Sequence, residues 1–346
     1  MDKKRILVTG GTGYIGSHTT VELINAGYSV VIIDNLSNSN IGVLDGIEAI
    51  TGVRPDFVQG DCQDIATLRK LFADYPDVVG IINFAASKAV SESVEKPLPY
   101  YRNNLNTLIN LLDLMPENQV KGIVFSSSCT VYGEPDENPV TEQSPIKPAT
   151  SPYGNTKQIC EEIIRDVIAA GAPFSAIILR YFNPVGAHPS ALIGELPNGV
   201  PQNLVPYLTQ TAIGIRKQLS VFGDDYDTPD GSCIRDFIDV VDLARAHVQA
   251  VARMVDGRNQ APVETFNLGT GRGVSVLELI HTFEEATGVK VSYVMAPRRA
   301  GDIVKVWADP TYANTVLGWK AETPLADTMA SAWKWQKALA EKKSKP

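Results

Sequence analysis

The feature that most constrains this 346-residue chain is a glycine-rich turn close to its start. A short apolar run at residues 5–9 predicts a buried strand, and residues 17–26 carry the apolar pattern of a helix. The turn between them contains Gly10, Gly13 and Gly16, which permit a tight bend and close backbone approach to a pyrophosphate. Glycines also occur in ordinary turns. A strand before the turn and a helix after it favour a dinucleotide-binding loop, with the anion at the helix N-terminus.

An acidic residue follows the second predicted strand, at residues 28–33. Asp34 lies about 20 residues beyond the glycine turn, where a carboxylate can bind both ribose hydroxyls of an adenosine. It would repel a 2′-phosphate, and no arginine follows it closely, so the sequence predicts NAD rather than NADP. The alternative interpretation is an aspartate that only serves a turn after a strand.

Strand and helix patterns continue to alternate as far as residue 128. Predicted strands at 57–60, 80–86 and 121–128 are separated by predicted helices at 65–73 and 99–115. This alternation predicts an α/β fold, with a doubly wound, Rossmann-type parallel sheet covered by helices on both faces. Ligands bind at the carboxyl ends of such strands, so we expect Gly10, Asp34, Asp61, Ala85 and Ser128 to converge.

A helix is predicted to begin at Ser151 and Pro152, which suit the N-cap and the first helical position. Apolar residues at 159, 163, 164, 167 and 168 predict its buried face. Tyr153 and Lys157 are four residues apart, so their side chains are neighbours. A lysine cation beside a phenol is expected to lower the tyrosine pKa from about 10, which makes a general base. Taken alone, the pair also matches a chance surface arrangement.

The regular alternation fades beyond Asn183, and residues 184–206 are rich in Pro, Gly and Asn, which predicts loops over a cleft. We predict an NAD-binding domain at 1–182, to which the chain returns near 234–258, and a smaller mixed α/β substrate lobe at 183–346. Arg235 and Arg299 are fork-shaped donors suited to a diphosphate. In a chain of net charge −8, two arginines at predicted loop ends favour anion recognition over surface decoration.

Composition excludes several classes of function. The net charge of −8 argues against nonspecific nucleic-acid binding, which needs a basic face. No stretch approaches the ~20 apolar residues of a membrane-spanning helix. The cysteines at 62, 129, 160 and 233 are far apart, which predicts reduced thiols in a cytoplasmic protein. The histidines lack the spacing of metal ligands, so we expect no metal.

Five stretches carry a more specific likeness: residues 8–18, 34–38, 125–133, 151–154 and 179–187. They resemble the UDP-glucose 4-epimerase family, a branch of the extended short-chain dehydrogenase/reductases, and the likeness runs from residue 4 to about residue 337. The resemblance implies an isomerase that oxidises C4 of a UDP-hexose transiently with tightly bound NAD. It implies that Tyr153 is the base, that Lys157 holds the nicotinamide ribose, and that Ser128 relays the 4-hydroxyl proton. It also implies a homodimer through the helices at 99–115 and 152–170.

The resemblance further assigns contacts position by position. The expected cofactor contacts are Gly10, Gly13, Tyr14, Ile15, Gly16, Asp34, Asn35, Asn38, Asp61, Cys62, Phe84, Ala85, Ala86, Lys88, Asn103, Ser126, Tyr153, Lys157 and Tyr181. The expected substrate contacts are Lys88, Ser128, Tyr153, Phe182, Asn183, Asn203, Leu204, Ser220, Phe222, Arg235, Arg299, Asp302 and Val306. An exposed loop lysine is the alternative interpretation of Lys88, and a core aromatic that of Phe222.

Two positions depart from relatives in this family. Valine at position 306 is smaller than the bulky aromatic that restricts some relatives to plain hexoses, so we expect turnover of N-acetylated UDP-hexosamines as well. Many relatives carry histidine where Asp239 stands, and the sequence assigns that aspartate no role.

Three alternative functions stay open. The first is another nucleotide-sugar 4-epimerase that acts on a uronate or a pentose. The second is a 4,6-dehydratase, which needs an extra acid and base beside the active hydroxyl, whereas Cys129 and Thr130 follow Ser128 here. The third is a catalytically silent NAD-binding regulator, which should have lost Tyr153 or Lys157.

Overall fold

The computed structural model describes residues 4–299 and 302–344, without the side chains of residues 343 and 344. The strands are β1 Arg5–Thr9, β2 Ser29–Asp34, β3 Asp56–Gln59, β4 Val78–Asn83, β5 Gly122–Ser128, β6 Ser175–Tyr181, β7 Asn183–Val185, β8 Leu219–Phe222, β9 Ile234–Arg235, β10 Phe237–Asp239, β11 Val263–Leu268, β12 Val274–Ser275, β13 Tyr293–Ala296 and β14 Lys305–Val306. The helices are α1 Tyr14–Asn25, α2 Val43–Thr51, α3 Ile65–Asp74, α4 Val90–Glu95, α5 Pro97–Leu114, α6 Pro152–Ala169, α7 Leu204–Ala212, α8 Val240–Val255, α9 Val276–Thr287 and α10 Leu325–Ser344. Single turns occur at Cys129–Tyr132 and Ala313–Leu317.

Seven strands form one parallel sheet in the order β11-β6-β5-β4-β1-β2-β3. Strands β2 and β3 lie on one side of β1. The chain then crosses to the other side of β1, where β4, β5, β6 and β11 follow in that order. The carboxyl ends of β1 and β4 therefore border the crevice at which such sheets bind ligands. The predicted doubly wound α/β fold is confirmed.

The sheet is buried on both faces. Ile6 and Val8 of β1 belong to one apolar cluster, and Leu7 between them belongs to the other. The first cluster includes residues of α1, α2 and α8, and the second includes residues of α3, α5 and α6. Parallel strands covered by helices on both faces read as continuous apolar runs, which explains the sequence of β1.

Helix α6 begins as predicted. The Ser151 side chain accepts a hydrogen bond from the Gly154 amide at 3.2 Å, and Pro152 is the first helical residue. The predicted apolar face is only partly correct: Ile164 is buried and Ile163, Val167 and Ile168 are half-buried against the same apolar cluster, which does not include Ile159. The most buried face of α6 includes Tyr153 and polar residues further along the helix, and it turns toward the end of β5.

The chain after β6 forms a smaller lobe built on short strand pairs: β7 with β10, β8 with β13, and β9 between β12 and β14. Its apolar cluster lies among α7, α9 and α10. Helix α9 begins with the Ser275 side chain accepting from the Glu278 amide at 3.0 Å. Within residues 4–299 and 302–344, the helices lack an apolar stretch sufficient to span a bilayer.

Candidate active site

The glycine turn lies between the carboxyl end of β1 and the start of α1. Gly10 has a φ of +69°, and an added Cβ would lie 2.9 Å from the Ala85 backbone nitrogen. An added Cβ at Gly16 would collide with the Gly10 carbonyl oxygen. Gly13 is the N-cap of α1 and provides no side-chain cap, so the first helical amides are left for another acceptor. This positive end of a helix fits the pyrophosphate of NAD.

Asp34 ends β2 directly beside this turn. Its carboxylate accepts hydrogen bonds from the amides of Thr12 at 3.2 Å and Leu36 at 2.9 Å. The carboxylate is thereby fixed in place and keeps lone pairs that can accept from ribose hydroxyls. Two further predicted cofactor residues lie next to each other, because Asn35 donates to the Asp61 carboxylate at 3.1 Å.

Two neighbouring asparagines of α5 hold the loop that follows β4. The Ser87 amide donates to Asn104 Oδ1 at 2.8 Å, and Asn103 donates to the Ser87 hydroxyl at 3.1 Å. Asn104 also donates to the Thr156 hydroxyl in α6 at 2.9 Å. These bonds explain two of the mid-helix asparagines, because they fix the loop that contains the predicted cofactor contact Ala86.

The serine run at the end of β5 meets α6. The Lys157 ammonium donates to the Ser126 carbonyl at 2.6 Å, and the Ser126 hydroxyl lies 2.5 Å from the Tyr181 hydroxyl. Tyr153 is 8% exposed, and its phenol interacts with the Ser128 hydroxyl. The structure therefore brings together the three side chains that the sequence predicts to be catalytic.

The predicted effect of Lys157 on Tyr153 is wrong for the protein chain itself. Burial raises the pKa of Tyr153 well above its usual 10.0, and Tyr181 adds to the rise while Ser128 opposes it. The Lys157 nitrogen lies 5.9 Å from the centre of the Tyr153 ring and is hydrogen-bonded to the Ser126 carbonyl instead. Burial lowers the pKa of Lys157 to about 8, because the cation loses hydration.

A buried carboxylate supports this arrangement, and the sequence analysis missed it. Glu161 lies one turn beyond Lys157 on α6 and accepts from the Ser127 hydroxyl at 2.6 Å. It also accepts from Arg180 of β6 through Nε at 2.9 Å and Nη2 at 2.5 Å. The network joins β5, β6 and α6 beside Ser128. The signal available in the sequence was the regular four-residue spacing of Tyr153, Lys157 and Glu161.

Two arginines share a carboxylate on the substrate side. Arg299 Nη2 donates to Asp302 at 2.7 Å, and Arg235 Nη2 lies 3.8 Å from the same oxygen. The Phe222 ring at the end of β8 is 40% exposed, and the Arg299 guanidinium lies 5.6 Å from its centre. Phe222 is therefore not a core aromatic. An exposed ring beside guanidinium groups suits a base attached to a diphosphate.

Cys129 directly follows Ser128 at the end of β5. Its thiol interacts with the Ser128 hydroxyl and lies within electrostatic range of Arg235, and burial raises the pKa of this thiol to about 11. Val306 pairs with Arg235 in register between β14 and β9. Val306 is 1% exposed and belongs to the same small apolar cluster as Phe182, another predicted substrate contact.

Glu195 joins predicted contacts from distant parts of the sequence. The side-chain Nδ2 of Asn203, at the N-cap of α7, donates to Glu195 Oε1 at 2.6 Å. Lys88 Nζ lies 3.7 Å from the same oxygen, and its side chain is 47% exposed. Glu195 was not predicted as a site residue, because it lies in the irregular segment 184–206, where no periodicity singles it out.

Asp239, to which the sequence assigned no role, caps a helix. Its Oδ1 accepts from the Val241 amide at 2.8 Å at the start of α8. Its Oδ2 accepts from the Thr328 hydroxyl of α10 at 2.9 Å. Asp239 thus joins α8 to α10.

The remaining predicted contacts differ in exposure. The Tyr14 hydroxyl donates to the Gly186 carbonyl at 2.7 Å, which links α1 to the segment after β7. The Asn38 side chain is exposed. The Cys62 side chain is buried in an apolar cluster, so a contact to adenine there would have to use its backbone. The half-buried members are Ile15, Phe84, Ala86, Asn183, Leu204 and Ser220.

Comparisons with known proteins agree over nearly the whole chain. A family model described as GDP-mannose 4,6 dehydratase matches residues 7–332. A UDP-glucose 4-epimerase of Neisseria meningitidis serogroup A is 50% identical over 332 residues, which cover 96% of this chain and 97% of the relative. The crystal structure of a UDP-glucose 4-epimerase from Bifidobacterium longum in complex with NAD+ and UDP has a TM-score of 0.93 and 47% identity, covering 96% of this chain and 98% of that one. A UDP-Glc/GlcNAc 4-epimerase from Campylobacter jejuni has a TM-score of 0.81 and 36% identity, covering 97% and 99% respectively.

Hydride transfer from an alcohol needs a bound dinucleotide and a general base. A doubly wound sheet with a dinucleotide-binding turn, together with the Tyr153–Lys157 pair, suits this reaction. That combination defines an enzyme of the extended short-chain dehydrogenase/reductase class, with which the matching family model agrees. Within that class, the chain belongs to the UDP-glucose 4-epimerase family, whose members are NAD-dependent isomerases.

Proposed function

We propose that this protein interconverts UDP-galactose and UDP-glucose by transient oxidation at C4, with NAD retained between turnovers. One observation carries the proposal. Ser128 and Tyr153 meet at the carboxyl edge of the sheet, and the thiol of the adjoining Cys129 lies within electrostatic range of Arg235, which approaches Asp302. In this arrangement the first pair would meet the sugar hydroxyl of a UDP-hexose and the second pair its diphosphate.

Proton transfer is assigned to the chain's own side chains. Tyr153 takes the proton from the sugar 4-hydroxyl, and Ser128 relays it. Burial raises the pKa of Tyr153, so the phenolate needs a positive charge nearby at neutral pH. When bound, NAD supplies the hydride acceptor for C4 and, in its oxidised form, such a charge. Lys157 holds the nicotinamide ribose, and the glycine turn with Asp34 holds the pyrophosphate and the adenosine ribose.

Epimerisation also requires the sugar to present both faces to the same reactive group. The site is suited to this because its charged contacts lie on the nucleotide side, at Arg235, Arg299 and Asp302. Anchoring UDP while the sugar stays loosely held lets the sugar turn without release, since strong contacts to one epimer would slow the step.

We further propose that N-acetylated UDP-hexosamines are substrates. The wall residue Val306 is small, and it packs against Phe182 in an apolar cluster. A relative from Campylobacter jejuni is named as a UDP-Glc/GlcNAc 4-epimerase, which supports a dual preference within this family.

The proposal also covers the division into domains, the cellular location and the oligomeric state. The NAD-binding domain comprises residues 1–182 with the returning segment 234–258, and residues 183–346 bind the UDP-sugar; the packing of α8 against α1 supports this division. The protein is a cytoplasmic enzyme, which its four unpaired cysteines support. It forms a homodimer through α5 and α6, which exposed Leu98 and Ile109 on α5 support.

The deciding experiment is incubation of the purified protein with UDP-galactose and no added cofactor, with the products identified by chromatography or NMR. UDP-glucose as product would establish both the reaction and the retained NAD. A 4-keto-6-deoxy product would instead establish a 4,6-dehydratase. An absence of turnover, combined with no NAD released on denaturation, would contradict the proposal.

A further inference from the structure

Asp236 is a fully buried carboxylate between β9 and β10 that the mechanism above does not use. Its Oδ1 accepts from the Thr270 amide at 2.9 Å and the Thr270 hydroxyl at 2.7 Å. Its Oδ2 accepts from the amides of Gly271 and Ala308, both at 3.2 Å. Three backbone amides and one hydroxyl thus satisfy the buried charge, and they determine the position of the carboxylate closely.

These bonds join segments that are far apart in the sequence. Thr270 and Gly271 follow β11 at the edge of the main sheet, and Ala308 follows β14 of the smaller lobe. The backbone carbonyl of Asp236 accepts from the Asn183 amide at 2.9 Å, which adds the segment after β6. Gly269 is packed directly against the carboxylate, since an added Cβ there would collide with it.

The segment of Asp236 itself and two of the segments bonded to it carry or adjoin an expected substrate contact. Arg235 immediately precedes Asp236, and Asn183 is bonded to its carbonyl. Val306 lies two residues before Ala308 and pairs with Arg235 in register. Moving this one carboxylate would therefore shift a diphosphate ligand, a nucleotide contact and the wall of the sugar pocket together.

We infer that Asp236 is a positioning residue of the UDP-sugar site, which fixes Arg235, Asn183 and Val306 relative to one another. The inference rests on the proposed function, because it concerns the site assigned to UDP. The role of Asp236 is to set the geometry of nucleotide binding and of sugar discrimination, while proton transfer and NAD retention depend on other residues.

The test compares Asp236→Asn with a matched control, Asp239→Asn. An asparagine accepts through one oxygen only, so one pair of donors would face an amide NH2 group and be left unsatisfied. Asp239 lies three residues further along, is similarly buried, and also accepts one amide and one hydroxyl. Its side-chain hydrogen bonds go to α8 and α10, so the control removes a comparable buried charge and leaves the bonds to Thr270, Gly271 and Ala308 in place.

Four quantities are measured on the NAD-containing enzyme: UDP affinity by calorimetry, KM and kcat for UDP-galactose and UDP-N-acetylgalactosamine, NAD content, and Tm. For Asp236→Asn we expect UDP binding weaker by roughly tenfold, a raised KM with little change in kcat, and unchanged NAD content. The ratio of kcat/KM between the two sugars should also change. Asp239→Asn should keep the parent's UDP affinity and sugar ratio.

Equal losses of UDP affinity in the two variants, or an unchanged affinity in Asp236→Asn, would overturn the inference. If Asp236→Asn fails to fold, Thr270→Val removes one donor and leaves the carboxylate, and it should weaken UDP binding in the same direction. Thr270→Ser, which keeps the hydroxyl, should bind UDP with the parent's affinity. A parent that binds UDP without epimerising would refute the proposed function and leave this inference testable by affinity; a parent that does not bind UDP would refute both.

Discussion

Lys157 donates its hydrogen bond to the backbone carbonyl of Ser126, 2.6 Å away. The bond fixes a buried ammonium at the end of β5, one residue from Ser127 and two from Ser128. The bond uses one of the three N–H donors of the ammonium, whose nitrogen lies 5.9 Å from the centre of the Tyr153 ring. Lysine and tyrosine thus lie in the same site without forming the simple pair that their spacing on α6 indicates.

Replacement of Tyr153 by phenylalanine should abolish most of the activity. Loss of a general base costs about 10²- to 10⁴-fold in rate, so kcat for UDP-galactose should fall by that order. The NAD released on denaturation should stay at the parent's level, because Gly10, Asp34 and Lys157 are untouched. Tyr75→Phe, far from the site at the end of α3, is the control. Parent-like turnover by the Tyr153 variant would refute the assigned base.

Removal of one partner of the buried Glu161–Arg180 pair should destabilise the protein strongly. Glu161→Gln leaves the Arg180 guanidinium buried without its counter-charge, which costs about 3–5 kcal/mol of unfolding free energy. The double change Glu161→Leu with Arg180→Met should lose less, since it removes both charges. Urea denaturation gives the free energy of unfolding of the parent, of Glu161→Gln and of the double variant. Glu117→Gln, in the exposed pair with Arg69, should change little, and an equally small loss in Glu161→Gln would contradict the prediction.

A larger residue at position 306 should restrict the sugar. Val306 is 1% exposed and packs beside Phe182, a predicted substrate contact, so a tyrosine ring there must displace Phe182 or extend into the proposed sugar pocket. Val306→Tyr should lower kcat/KM for UDP-N-acetylgalactosamine by roughly tenfold or more, with a smaller effect on UDP-galactose. Val306→Ala should keep both substrates. Equal effects of the tyrosine on the two sugars, in steady-state assays, would exclude Val306 as the wall.

Stability should fall on the acid side partly because of His247. This imidazole is fully buried, its Nδ1 donates to the Leu243 carbonyl at 2.9 Å, and burial lowers its pKa from 6.5 to about 4. The unfolded chain binds a proton more readily than the folded protein does. The contribution of neutral His247 to the free energy of unfolding is therefore complete above pH 6.5 and is lost progressively toward pH 4. Its size is about 3 kcal/mol.

His247→Gln cannot take up that proton, so its unfolding free energy should change less between pH 6.5 and 4 than the parent's. Urea unfolding across this range measures the difference in slope. His281→Gln, on the exposed surface of α9, is the control and should follow the parent. A slope for His247→Gln identical to the parent's would show that this histidine does not carry the effect.

Local chemistry explains where the predictions succeeded. The glycine turn, the acid after β2, the strand that ends in serines and the cap of α6 are each encoded within a short stretch of chain. Their hydrogen bonds and backbone conformations are local, as in Ser151 accepting from Gly154. The roles of Asn103 and Asn104 in holding the loop after β4 could not be predicted in this way, because their partners in that loop and in α6 lie 16 to 52 residues away.

By itself, the sequence determined the doubly wound sheet and the dinucleotide turn, because each depends on periodicity or on neighbours a few residues apart; the reactive side chains that it indicates remain a prediction. Tertiary structure alone decided how the charges are partnered. Glu161 accepts hydrogen bonds from Arg180, and Asp236 accepts from Thr270 and Ala308. Lys157 donates to a backbone carbonyl. Burial and hydrogen bonding set the pKa of an ionisable group, and both depend on packing between distant segments. That is why the pKa of Tyr153 rises where its spacing from a lysine predicts a fall.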